Sequence, residues 1–94
     1  MEIHRMSVKV EVFTSQGCPH CPGAVAVVQK VKDELGDEIE FEHMDVNENM
    51  DKVREYGLMS VPTVVIDGKV EFIGAPTEEE LKRKIKKRQL LNSH

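Results

Sequence analysis

Cys18 and Cys21, the chain's only cysteines, stand two residues apart in the segment Cys18-Pro19-His20-Cys21. Two thiols at this spacing can run as a dithiol–disulfide couple, or supply half the ligands of a zinc site. A purely structural bridge is the weakest use of such a pair. A disulfide stabilises mainly by closing a long loop in the unfolded chain, and this one would close almost none. A structural zinc takes four ligands, yet no second CxxC is present, and His4, His43 and His94 lie in unrelated segments. His20, between the cysteines, cannot easily join both at one tetrahedral centre. Redox exchange is the leading reading, a CxxC metal-binding module the second and an inert pair the third.

The chemistry depends on what positions the thiols. Cys18 follows a strand and a polar loop and is expected to open a helix, where unpaired backbone N–H groups and the positive end of the macrodipole favour a thiolate. That makes Cys18 the expected nucleophile and Cys21, one turn further in, the less exposed resolving thiol. Lowering a cysteine pKa from about 8.5 to about 6 takes roughly 3.4 kcal/mol. The dipole supplies about 0.3–1 kcal/mol, and up to ~2 in a partly buried geometry. The remainder must come from N–H···S hydrogen bonds and from a charged His20, the residue expected to tune the site. A stabilised thiolate also makes the couple more oxidising. Pro19 suits a first helical turn, whereas Pro22 is expected to kink the helix slightly.

The supporting elements are legible in the patterning. Val8, Val10 and Val12 alternate with Lys9 and Glu11, giving a strand of period two. Ala24, Val27, Val28, Val31 and Leu35 form one stripe of a helix that Gly36 can end. Ile39 to Val46 reads as a second strand, and Asn47 or Asn49 can cap a short helix through Tyr56, with Gly57 at its end. Thr63 to Ile66, then Asp67-Gly68, then Lys69 to Ile73 form a hairpin. Thr77 caps a last helix, with Glu80 three residues on. A βαβ unit followed by a hairpin and a helix predicts a four-stranded mixed β-sheet flanked by three helices, an α/β sandwich in the order βαβαββα. One domain is expected over residues 8–91, behind a loose leader over residues 1–7.

With 94 residues, 39% hydrophobic and 32% charged, the chain has the balance of a single globular unit. No apolar run approaches the ~18–20 residues of a membrane span, and no secretory signal opens the chain, so a cytoplasmic location is expected. A net charge of −4 and the lack of Trp argue against nucleic-acid partners.

Several motifs together resemble the thioredoxin/glutaredoxin superfamily, most closely its small archaeal members with a Cys-Pro-His-Cys site. They are Phe13-Thr14-Ser15 leading into Cys18-Pro19-His20-Cys21-Pro22, Tyr56-Gly57-Leu58-Met59 before Val61-Pro62-Thr63, and Phe72-Ile73-Gly74-Ala75-Pro76. The resemblance implies a thioredoxin fold and a thiol–disulfide oxidoreductase acting through Cys18 and Cys21. It implies a cis Pro62 facing the cysteines, with the Val61 backbone pairing an incoming peptide, and a small-residue patch at Gly74 and Ala75 where another protein can approach. It further implies disulfide-containing protein substrates, a thioredoxin-reductase-like electron donor, a monomer, and no cofactor beyond the redox disulfide. The sequence also departs from the family. Gly17 stands where a Trp is usual, Pro19-His20 replaces Gly-Pro, and Val12 occupies the place of a buried acid that would take the resolving thiol's proton. Water or His20 must substitute. A glutathione-dependent glutaredoxin is the alternative within the class, although Gly74-Ala75-Pro76 breaks the glutathione signature.

Other residues read more plainly. Met44, Met50 and Met59 are expected to fill core, Met59 being the best candidate for exposure. His43 reads as an ordinary strand residue and Tyr56 as packed. The basic run from Lys82 to Arg88 shares a helix with Leu81 and Ile85 and reads as a solvated face.

Overall fold

The computed structural model describes residues 7–92. Seven main elements follow in chain order: β1 (Val8–Thr14), α1 (Cys21–Leu35), β2 (Ile39–Asp45), α2 (Met50–Tyr56), β3 (Thr63–Ile66), β4 (Lys69–Ile73) and α3 (Glu78–Asn92). The strands form one mixed sheet in the order β2-β1-β3-β4. β1 runs parallel to β2, with Val12 opposite His43, and antiparallel to β3, with Phe13 opposite Thr63. The expected four-stranded mixed sheet with three helices is therefore the one observed. The strands and the cysteine helix all fall within the expected 8–91, while α3 runs one residue beyond it. Of the expected leader, residues 1–6 lie outside the described part. No helix of the described residues is long and apolar enough to cross a membrane.

Why the sheet takes this order is plain from its apolar faces. Val8, Val10 and Val12 on β1 pack with Ala24, Val28 and Val31 of α1 and with Leu81 and Ile85 of α3. Each fully buried Val or Ile contributes about 1.5–3 kcal/mol relative to an exposed one, so this layer anchors α1 against the sheet. The hairpin turns at Asp67 and Gly68, whose φ of 49° and 83° put both central residues in the left-handed region that a two-residue turn needs. Gly57 ends α2 in the same region, with φ 68°. At the start of α3, Thr77 Oγ1 accepts from Glu80 N at 3.1 Å and Glu80 Oε1 accepts from Thr77 N at 3.0 Å, the reciprocal capping box.

Three expectations are corrected. First, α1 begins at Cys21, not Cys18: His20 is its cap residue, and Pro19 lies in the preceding turn. Pro22 then falls in the first turn, where its missing N–H would have had no helical partner anyway, so it calls for no kink. Second, the alternation on β1 does not make its other face polar and solvated at Glu11. β1 is a central strand covered on its second face by α2, and Glu11 is only 1% exposed. Third, Met59 and Met50 do not fill core, being 95% and 46% exposed. The basic face of α3 is solvated as expected and is paired with acids: Lys82 with Glu34, Lys84 with Glu71 at 3.3 Å and Arg88 with Asp67 at 3.1 Å.

Candidate active site

The strand pairing brings three loops to one end of the sheet. β1 finishes there at Thr14 and leads into the cysteine turn, β3 starts there after Pro62, and β4 finishes there at Ile73. In the turn, Cys18 and Cys21 are joined as a disulfide with Cα atoms 5.4 Å apart. Cys18 N donates to Ser15 O at 3.4 Å, tying the turn back to the end of β1. The two sulfurs differ in access: Cys21 is 4% exposed, whereas Cys18 is half-buried and His20 and Pro19 stand in solvent. Cys18 thus lies just ahead of the helix, within one turn of its positive end.

One flank of this end is built from backbone and small residues. The Val61–Pro62 bond is cis. Pro62 O accepts from Gly74 N at 2.8 Å, and Thr63 Oγ1 donates to Ser60 O at 2.7 Å. Gly74 has φ 100°, a backbone state that side-chain-bearing residues rarely adopt, so glycine is required to bring the end of β4 to Pro62. Ala75 is exposed, and Met59 (95%) and Ile73 (75%) are among the exposed large apolar side chains. Gly74 therefore meets Pro62 through the backbone, with Ala75 and Val61 as their chain neighbours.

The other flank was not anticipated. An open groove of about 570 Å³ runs beside the disulfide, lined by Thr14, Gly17, Cys18, Cys21, Val25 and His43, among others. Thr14 Oγ1 and His43 Nε2 lie 2.7 Å apart across the β1–β2 pair. His43, read as an ordinary strand residue, lines this groove, a placement that only its register on β2 could have revealed. A second hidden feature lies behind the sheet. Glu11 accepts from Lys52 Nζ at 3.0 Å and from Tyr56 Oη at 3.1 Å, and the Tyr56 ring meets Phe13 edge-on at 5.9 Å. The hydrogen bond and charge of Glu11 raise the Lys52 pKa, while burial and then Glu11 raise that of Tyr56. This network ties α2, and the Gly57–Pro62 loop that follows it, to the centre of the sheet. Among the described residues, no group of three or more His, Cys, Asp or Glu could hold a metal ion.

Comparison with known proteins agrees with this geometry. Residues 6–86 match the thioredoxin domain family. The chain is 58% identical over 81 residues to a thioredoxin of Methanocaldococcus jannaschii, covering 86% of this chain and 95% of that one. It is 31% identical over 84 residues to a thioredoxin of Bacillus subtilis, covering 87% and 77%. Its structure is similar to that of Fasciola hepatica thioredoxin, with a TM-score of 0.73 at 30% identity over 89% of this chain and 83% of the other. With its paired cysteines at the head of α1, the chain belongs to the thioredoxin family and is a thiol–disulfide oxidoreductase.

Proposed function

We propose that this protein reduces or exchanges disulfides of protein substrates through a mixed disulfide on Cys18. The observation that carries the reading is the unequal burial of the two cysteines, Cys18 half-buried and Cys21 4% exposed. The Cys18 thiolate attacks a substrate disulfide, releasing one substrate thiol and bonding the other sulfur to Cys18. Cys21 then attacks that bond, frees the second substrate thiol and leaves Cys18–Cys21 oxidised. Two electrons pass from the cysteine pair to the substrate. A reductase-like donor restores the dithiol, and the disulfide is the only redox group required.

The flanking patch supports a role in holding the substrate. A peptide strand can pair with the Val61 backbone by strand addition beside Pro62, and Gly74 and Ala75 leave room for its approach. His20, exposed between the cysteines, favours the Cys18 thiolate when charged, and Pro19 shapes the turn. The same reading has the protein act as a cytoplasmic monomer.

The test is a pair of substitutions. Cys21→Ser leaves the nucleophile and removes the resolving thiol, so a covalent complex with a disulfide-bonded protein should accumulate and be dissolved by reductant. Cys18→Ser should form no such complex; a Cys18→Ser protein that still reduces protein disulfides would overturn the mechanism.

A further inference from the structure

The resolving step needs a base. Cys21 must lose its proton to attack the mixed disulfide, because the thiolate is the nucleophile. Burial opposes this: Cys21 is 4% exposed, and an apolar setting favours the neutral thiol. Val12, 0% exposed on the strand below, offers no acceptor. Glu11 faces the opposite side of the sheet, held by Lys52 and Tyr56.

The groove beside the disulfide does offer one. Of the residues lining it, His43 is the one titratable side chain apart from the two cysteines. Its Nε2 lies 2.7 Å from Thr14 Oγ1, and Thr14 is 7% exposed at the end of β1, so a buried hydroxyl orients an otherwise exposed ring. Imidazole is also the side chain whose charge ordinarily changes across the neutral range. Few other ionisable groups face it. Cys18 and Cys21 stand across the groove, and Asp45 lies two residues along the same face of β2, its carboxylate accepting from Asn47 N. On α1, Asp33 lies beyond the lining residue Gln29, which donates to it.

We propose that His43 is the proton acceptor for Cys21 in the resolving step and that Thr14 positions its ring. With Nε2 engaged by Thr14 Oγ1, the Cys21 thiol gives its proton to Nδ1 of the imidazole. Its sulfur then bonds to the Cys18 sulfur as the Cys18–substrate bond breaks. The substrate sulfur leaves as a thiolate and takes a proton from the imidazolium or from solvent. The proposal rests on the two-step mechanism above, and its test separates the two steps.

Reduced full-length protein is mixed with a nitroaryl disulfide that releases one coloured thiolate when Cys18 attacks and a second when Cys21 resolves the adduct. In His43→Ala the second release should slow by about tenfold or more, since a positioned base contributes ~10²–10⁴-fold, while the first stays within about twofold. The pH dependence that a histidine base gives the second release should be lost, and added imidazole should restore the rate. His43→Gln, which keeps a hydrogen-bonding partner for Thr14, should show the same slow second release if His43→Ala folds poorly. Wild-type rates and pH profile in both variants overturn the proposal. So does a slowing that keeps the wild-type pH profile and is not rescued by imidazole, since His43 would then be only a groove wall. A wild-type protein lacking the first release would overturn the two-step mechanism itself.

Discussion

The two flanks of the Cys18–Cys21 disulfide are made of different material. On the Pro62 side stand a cis peptide bond, the Gly74 N–H to Pro62 O bond and an exposed Ala75, bordered by the exposed apolar side chains of Met59 and Ile73. On the α1–β2 side, the surface is side chains, with Thr14 and His43 held together beside the groove. A backbone flank recognises any extended chain, because main-chain pairing reads no particular side chain. A side-chain flank can carry a proton. Under the proposed mechanism, the first flank holds the substrate and the second moves the proton.

The largest effect is expected from removing what both flanks serve. Cys18→Ser should bring turnover of protein disulfides to background, measured by reduction of a disulfide-linked polypeptide; residual activity would mean that neither flank is organised around Cys18. Next comes the backbone flank alone. Gly74→Val forces a β-branched residue into φ 100°, a strained state costing about 1–3 kcal/mol. It should weaken the catalytic efficiency toward a protein disulfide about tenfold, a 1.4 kcal/mol loss of transition-state binding, while a small aromatic disulfide reacts nearly as before. Equal loss on both substrates would show that Gly74 serves stability only.

The Glu11 network predicts a smaller, pH-dependent effect. Lys52 and Tyr56 both have pKa values raised in the folded state, from ordinary values of 10.5 and 10.0. A raised folded pKa means that the native state holds its proton more tightly than the unfolded chain. The resulting stability is present below the unfolded value and lost as pH rises through the folded one. Denaturant unfolding should therefore show stability falling above about pH 10, and Glu11→Gln should flatten that fall. Lys52→Met should cost about 1–3 kcal/mol at neutral pH by leaving a buried carboxylate with one partner fewer. The ammonium's partial exposure places the value in the lower half of that range. The smallest effect belongs to Thr77→Ala, which breaks the capping box far from both flanks. It should lower stability by about 1 kcal/mol and leave disulfide exchange unchanged.

The same contrast explains what could be read from the chain before its structure. Period-two patterning located β1 and a helical stripe located α1, while the hairpin was marked by its specific turn residues Asp67-Gly68. The cis Val61–Pro62 bond was legible because a contiguous motif carries it. His43 and Thr14 were not, since they are 29 residues apart and meet only through the β1–β2 register. Glu11 was misread for a related reason. Alternation on β1 assigns it to a polar face, and only the packing of α2 turns that face inward. The helix start moved from Cys18 to Cys21 because a stripe of apolar residues locates a helix's buried face better than its first residue.

The central claim, that Cys18 and Cys21 form the working redox couple, is tested most directly by equilibrating metal-free protein with defined thiol/disulfide buffers and measuring the oxidised fraction. The account predicts one reversible two-electron transition within the range of about −270 to −120 mV that thiol–disulfide oxidoreductases span. It also predicts a more reducing value in His20→Gly, where the charge that favours the Cys18 thiolate is gone. A protein with no reversible couple in any buffer would contradict it.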